Sequence, residues 1–286
     1  MRYLSSFSFP SPNQEAMFFN YQRRTCYNNF YPFGVLKQRE MPRLELAPLT
    51  ILYGGNGSGK TTLLNVIGEY LQLERASLYN RSSFFPQYLQ LCQAELALPL
   101  PPGSSIITSD DVFDDMLDQR ALNQGIDRGR EELFRQYWED RQGDKRMLSL
   151  DDYQEYRRVA LARGRNQSRY VREQLAENIR GRSNGENAFA YFTRHITENR
   201  LYLLDEPENS LSPRLQRELA GFLADSVRFY GCQLLIATHS PFLLAMEEAL
   251  IYDLDQEPVQ ARPWTELENV RAYYELFHQH QADFLD

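Results

Sequence analysis

Short uncharged apolar runs alternate along the chain with stretches whose apolar residues recur every three or four positions. Leu49-Thr50-Ile51-Leu52-Tyr53 is uncharged, β-prone and followed at once by glycines, which predicts a buried strand feeding a tight loop. Leu63, Leu64, Val66 and Ile67 then fall at helical spacing, so the loop opens a helix. Residues 1–53 otherwise read as strands with turns. A connection bearing Pro99, Pro101, Pro102 and Gly103 leads to a short strand, Ser105-Ile106-Ile107-Thr108. From about Asp110 to Ile179 the pattern is charged and helical, and Gly125, Gly129, Gly143 and Gly164 are expected to divide it into helices of ordinary length. Beyond Gly185 the pattern predicts helix 187–197, strand 201–204, helix 213–228, strand 233–237, helix 241–248 and strand 250–254. A C-terminal stretch with Trp264, Tyr273, Tyr274 and Phe277 reads as an amphipathic helix packing on the core. The alternation describes an α/β lobe with a mostly parallel sheet, interrupted by a helical insertion.

Composition changes this picture little. At 286 residues the chain is long enough for a large core without disulfide or metal staples. With 39 acidic and 31 basic residues the net charge is −8, which argues against a permanent nucleic-acid coat. No run reaches the roughly 18–20 apolar residues of a membrane helix, and Met1–Pro10 lacks the apolar core of a signal peptide, so a cytoplasmic location is expected. Cys26, Cys92 and Cys232 are odd in number and widely spaced, and read as reduced thiols packed as small apolar groups. Only Lys37, Lys60 and Lys145 are lysines among 31 basic residues, so a lysine kept at position 60 is informative.

Gly54-Gly55-Asn56-Gly57-Ser58-Gly59-Lys60-Thr61 fits the phosphate-loop pattern at every fixed position, with a strand before it and a helix after. Glycines let backbone N–H groups curl around phosphates without Cβ clashes, and the helix N-terminus favours negative charge. Lys60 would reach the β- and γ-phosphates, and Thr61 would ligate Mg²⁺. Leu201-Tyr202-Leu203-Leu204 ends in Asp205-Glu206-Pro207, two adjacent carboxylates that permit a division of labour. Asp205 would hold Mg²⁺ through water; Glu206 would orient and deprotonate the attacking water. Leu234-Leu235-Ile236-Ala237 runs into Thr238-His239-Ser240-Pro241, which sets His239 at a strand end where it can donate to the γ-phosphate. His195, His278 and His280 have no such placement and read as surface or packing residues.

The order of these motifs resembles that of the ABC-type ATPases, and within them the RecF, SMC and OLD-like branch of AAA family ATPases. The matching text is Tyr53 to Thr62, Leu203 to Pro213 and Ala237 to Pro241, with Ser183-Asn184-Gly185-Glu186 similar to the signature element. The resemblance implies a P-loop fold with antiparallel N-terminal strands beside the parallel sheet. It divides the chain into a nucleotide-binding lobe, 1–109 and 184–286, and a helical subdomain, 110–183, with the signature at its end. It implies ATP and Mg²⁺ as cofactors, with Gly54, Asn56, Gly57, Ser58, Gly59, Lys60, Thr61 and Thr62 around the nucleotide. Ser183 to Glu186 would meet the γ-phosphate held by a second copy, in an ATP-dependent homodimer crossed by the Glu208–Ser212 loop. The Mg²⁺-sensing glutamine has two candidate substitutes, Gln87 and the Ser109-Asp110-Asp111 segment; Asp110 is the better placed. For adenine stacking, Tyr31 and Phe33 are candidates.

What hydrolysis drives is less legible. About 120 residues separate Thr62 from Ser183 without sustained heptads, which excludes a long coiled coil, and too few follow Leu254 for a fused nuclease. Between Arg157 and Arg182 lie eight arginines (Arg157, Arg158, Arg163, Arg165, Arg169, Arg172, Arg180 and Arg182) against Glu173 and Glu177, a local charge of +6. That is either a phosphate-binding face, for DNA, RNA or the partner's nucleotide, or a solvated surface paired with nearby acids (Asp110, Asp111, Asp114, Asp115 and Asp118). The leading expectation is an ATP-gated dimeric switch acting on nucleic acid or an effector protein, in DNA maintenance or phage defence. The alternatives are the nucleotide-binding subunit of a membrane transporter and a P-loop small-molecule kinase.

Overall fold

The structure is a computed structural model that describes all residues except 23–25, 37–40, 42, 143–151, 180–182 and 285–286. Lys37, Gly143, Lys145, Arg180 and Arg182 lie outside the described residues. The chain forms two compact units, Met1–Val112 with Asn184–Asp286, and Phe113–Ser183.

The first unit is built on a six-stranded sheet of order β5-β6-β7-β3-β8-β9: β5 (Ser105–Thr108), β6 (Leu201–Asp205), β7 (Gln233–Ala237), β3 (Leu49–Tyr53), β8 (Leu250–Asp253) and β9 (Gln260–Ala261). All pairings are parallel except β8 with β9. β3, β6 and β7 are buried along their whole length, which is why they read as continuous apolar runs rather than alternating ones. Side chains still alternate between faces. Leu52, Leu201, Leu203 and Leu235 join Leu63, Leu64, Val66 and Ile67 of α2 (Lys60–Tyr70) in one core. The alternate residues Tyr202, Leu204, Leu234 and Ile236 serve the opposite face, where α8 (Pro213–Phe229) packs by Leu219 and Leu223.

A second, antiparallel sheet of order β2-β1-β4 is formed by β1 (Leu4–Ser8), β2 (Leu44–Glu45) and β4 (Gln93–Leu96). It is joined to the first at two places: Tyr252 Oη of β8 exchanges two hydrogen bonds of 3.0 Å with the Glu45 backbone of β2, and the Gln233 amide of β7 reaches β1. Gln233 Oε1 accepts from the Tyr3 and Leu4 N–H groups at 2.7 and 2.8 Å, while its Nε2 donates to the Leu4 and Ala47 carbonyls at 2.7 and 3.1 Å. All four hydrogen-bonding positions of a buried glutamine are thereby used.

Three expectations are corrected in this unit. Residues Pro12–Tyr21 form a helix, α1, where strands and turns were expected; Ser11 and Gln14 make a capping box with Pro12 at the first position. The helix expected over 241–248 ends at Leu244 (α9, Pro241–Leu244). The C-terminal helix α10 (Glu268–Gln279) buries Val270 but leaves Tyr273, Tyr274 and Phe277 about half exposed, so its aromatic face does not pack on the core. Of the thiols, Cys92 and Cys232 are buried as expected, whereas Cys26 is exposed.

The helical unit holds most of α4 (Ser109–Gln142), with α5 (Tyr153–Gly164) and α6 (Gln167–Arg172). Gly125 and Gly129 do not break α4, which runs for 34 residues. Gly129 instead allows close approach: a Cβ there would stand 3.3 Å from Leu175 Cδ2. Asn123 fixes that approach by exchanging two hydrogen bonds with the Ile179 backbone. Tyr137, Ala162, Tyr170 and Val171 form this unit's own small core.

Candidate functional site

Parallel strands bring their C-terminal ends to one edge of the sheet, where open α/β folds bind ligands. Three of these ends carry the candidate chemistry. β3 enters the phosphate loop, β7 delivers His239, and β6 delivers Asp205 and Glu206. β7 lies between the other two, so the carboxylates sit two strand spacings from the loop rather than on its immediate neighbour.

The loop is shaped by its glycines. Gly57 and Gly59 have φ of +81° and +96°, left-handed values that side chains rarely adopt, and a Cβ on Gly54 would stand 2.6 Å from Ser58 Oγ. Gly59 caps α2 without any side-chain bond, so the first N–H groups of that helix point into the cradle. Lys60, 5% exposed, folds back to donate to the Gly54 and Gly55 carbonyls at 2.8 and 3.1 Å. Its Nζ also lies 3.6 Å from Glu206 Oε1, which spans the distance to β6. Asp255, at the end of β8, accepts from the Gly55 N–H at 2.8 Å.

Asp205 and Glu206 differ in environment. Asp205 is buried beside the Thr61 hydroxyl, its Oδ1 has no hydrogen-bond partner, and burial pushes its carboxyl up to about 6. Glu206 takes a left-handed backbone (φ +48°) pinned by its N–H to the Ala237 carbonyl at 2.8 Å. That conformation is costly for a non-glycine residue, and its carboxylate stands between Lys60 and His239. Glu206 Oε1 lies 3.8 Å from His239 Nδ1, and Oε2 accepts from Asn209.

Thr61, Asp205 and Asp110 line one cleft of about 310 Å³, together with Asn65, Arg75, Tyr79 and Thr108. Gln87 is exposed on α3 (Phe85–Leu89), and the residues lining the cleft do not include it. Asp110 is in the first turn of α4. Its neighbour Asp111 is spent on structure, accepting from the Ser77 N–H and the Thr108 N–H and hydroxyl. Among the described residues no three His, Cys, Asp or Glu side chains cluster as a protein cage for a metal. A site of one hydroxyl and one or two carboxylates suits Mg²⁺, which keeps several waters and takes the rest of its ligands from phosphate. The unpartnered buried Asp205 oxygen fits that demand.

Of the adenine-stacking candidates, Phe33 is buried and Tyr31 is half-buried beside Thr62. Phe33 is stacked on Phe18 at 3.8 Å inside the core, and Tyr31 donates its hydroxyl to Thr62 Oγ1 at 3.2 Å while its ring meets Phe85. Asn184, Gly185 and Glu186 open α7 (Asn184–His195), three residues earlier than expected. Gly185 is buried where a Cβ would stand 3.0 Å from both the Ser210 carbonyl and Leu215, so this turn packs against the segment that follows the carboxylates. Ser183 is the last residue of the helical unit and is exposed. Arg165 and Arg169 both pair with Glu173, inside the arginine-rich segment itself.

Sequence reasoning missed Arg75 and Asn269, and it placed Glu208 in an interface loop without its buried bonds to the Thr238–Ser240 turn. Arg75 lies over the Tyr79 ring, donates to Asn65 at 2.9 Å and keeps a buried Nε without a partner. It falls in a segment with no motif, so nothing in the text marked it.

Residues 159–245 match the family model described as "AAA domain, putative AbiEii toxin, Type IV TA system". None of the curated proteins compared with the chain matches it. Among solved structures, the chain is similar to a metal-chelate-type ABC transporter in an inward-facing conformation, at 17% identity and TM-score 0.38 over 83% of this chain and 80% of that one. It is also similar to the dimeric ATP-binding cassette MJ0796 in a post-hydrolysis state bound to ADP and Pi, at 14% identity and TM-score 0.37 over 79% and 90%. Superpositions this loose transfer no detail. The matched segment takes in β6, α8, β7 and α9, and with them the strand ends that carry Asp205, Glu206 and His239, but not the phosphate loop.

Proposed function

We propose that the protein binds Mg–ATP and hydrolyses it, and that two copies close around the nucleotide as an ATP-gated switch. The convergence of Lys60, Glu206 and His239 beside a buried, unpartnered Asp205 oxygen carries this reading. Lys60 gives up the Gly54 and Gly55 carbonyls for the β- and γ-phosphates. Thr61 and Asp205 hold Mg²⁺, with Asp110 across the cleft; the ion, when bound, neutralises charge on the phosphate oxygens. Glu206 aligns a water and takes its proton as the water oxygen bonds to the γ-phosphorus and the bond to ADP breaks. His239 donates to the γ-phosphate oxygens, where charge builds. Ser183 to Glu186 complete the site from the second copy.

The coupled process is an effector protein or nucleic acid, in defence or DNA maintenance. The toxin–antitoxin wording of the matched family is in keeping with an effector. In the helical unit, Arg157, Arg158 and Arg165 line a cleft of about 1130 Å³ with Tyr153, alongside the acidic Asp152 and Glu173, and its arginines suit phosphates.

Two variants test the core of the reading. Lys60→Ala should abolish ATP binding in calorimetry. Glu206→Gln should keep binding, lose turnover by two or more orders of magnitude (roughly 10² to 10⁴, the range for a general base) and accumulate an ATP-bound dimer. Turnover by Glu206→Gln at the wild-type rate would remove Glu206 from the role of base.

A further inference from the structure

His239 has a half-exposed imidazole on a turn outside any helix or strand, yet both of its backbone groups are held by side chains from distant parts of the chain. Its N–H donates to Glu208 Oε1 at 3.1 Å. Its carbonyl accepts from Asn269 Nδ2 at 2.7 Å. Glu208 is 5% exposed, and the same Oε1 also accepts from Thr238 Oγ1 at 2.5 Å and the Ser240 N–H at 3.2 Å, so one oxygen gathers the whole Thr238–Ser240 turn. Burying a carboxylate this deeply is costly; its Oε2 has no hydrogen-bond partner, so the three donors on Oε1 are its whole compensation and hold only while the turn keeps its shape. Asn269, in the first turn of α10, is fixed in turn by its own N–H, which donates to Tyr53 Oη at 3.2 Å. Tyr53 is the last residue of β3, immediately before the phosphate loop.

We propose that Glu208 and Asn269 are positioning residues that hold His239 by its two backbone groups and so aim its imidazole at the reacting phosphate. The assignment rests on the ATPase reading above. It adds the segment after the catalytic carboxylates and the C-terminal helix to the machinery of hydrolysis, although neither residue touches the nucleotide. The backbone of a loop histidine has two soft torsions on either side of Cα; fixing N–H and C=O together removes them, where either bond alone leaves one free.

The experiment is a double-mutant cycle on the full chain, reading kcat and KM for ATP. His239→Ala should lower kcat by on the order of 100-fold. Asn269→Ala, a partly exposed change that leaves the core intact, should lower kcat by about tenfold with KM within about twofold, as expected for loss of a transition-state contact. In the His239→Ala background the same change should cost less than about twofold, because the residue it aims is gone. Glu208→Gln, which keeps an accepting oxygen, should retain kcat within about threefold, whereas Glu208→Ala should match Asn269→Ala. If Glu208→Ala does not fold, the Asn269 arm decides alone. Full additivity of Asn269→Ala with His239→Ala, or wild-type kcat in Asn269→Ala, overturns the positioning role while leaving the ATPase reading intact. Absence of ATP hydrolysis by the wild-type protein overturns both.

Discussion

Asp205 shows how one side chain can trade stability for function. Burial pushes its carboxyl up to about 6, above the ordinary 3.8, so the folded chain holds this proton more tightly than the unfolded chain does. The stability so gained is complete below about pH 4 and is lost as the pH climbs through 6, to a total of about 3 kcal/mol. Asp205→Asn has no charge to bury. Without nucleotide it should melt above the wild type at pH 8, with the gap closing towards pH 4, while its affinity for Mg–nucleotide falls. Calorimetric melting across that range checks the sign; equal melting temperatures at pH 8 would mean that the buried carboxylate carries no strain.

At the scale of elements, the loop between β3 and α2 depends on backbone that only glycine supplies cheaply. Gly59→Ala would force a side chain to φ +96° with its Cβ 3.0 Å from Leu36 Cδ2. A cost of roughly 1–2 kcal/mol and a sharp loss of ATP binding are expected. Gly221→Ala, in the middle of α8 with open space around it, should be neutral or stabilising by up to about 1 kcal/mol, which calibrates the comparison by thermal melting. The loop was legible in the sequence because its chemistry dictates both residue type and spacing, and β6 and β7 were legible because full burial makes them uniformly apolar. α1 was not, although Ser11, Pro12 and Gln14 spell out its start, because its low amphipathicity gives no period to read. Gly125 and Gly129 misled for a different reason: a glycine inside a helix costs too little to break one that packs on a neighbour. Asn269 carries no local signal, and the motif that holds Glu208 does not reveal its contact, since their partner at 239 is 30 or 31 residues distant and met only through the fold.

For the whole molecule, the decisive question is whether the nucleotide is completed by a second copy. Ser183 is exposed, and an arginine there would place bulk and charge where the partner's phosphates are proposed to lie. Sizing by light scattering should find Glu206→Gln dimeric with ATP and Glu206→Gln/Ser183→Arg monomeric, with unchanged circular dichroism. A dimer that survives the arginine would place the contact elsewhere. The Gln233 amide has a separate consequence at this scale. It joins the first strand of the chain to the middle of the parallel sheet by three bonds, so the two sheets cannot breathe independently at that corner. In deuterium exchange, the Tyr3 and Leu4 amides should then be protected as deeply as those of β7. Gln233→Leu should release both together, and the depth of that release would measure how firmly the small sheet is latched to the large one.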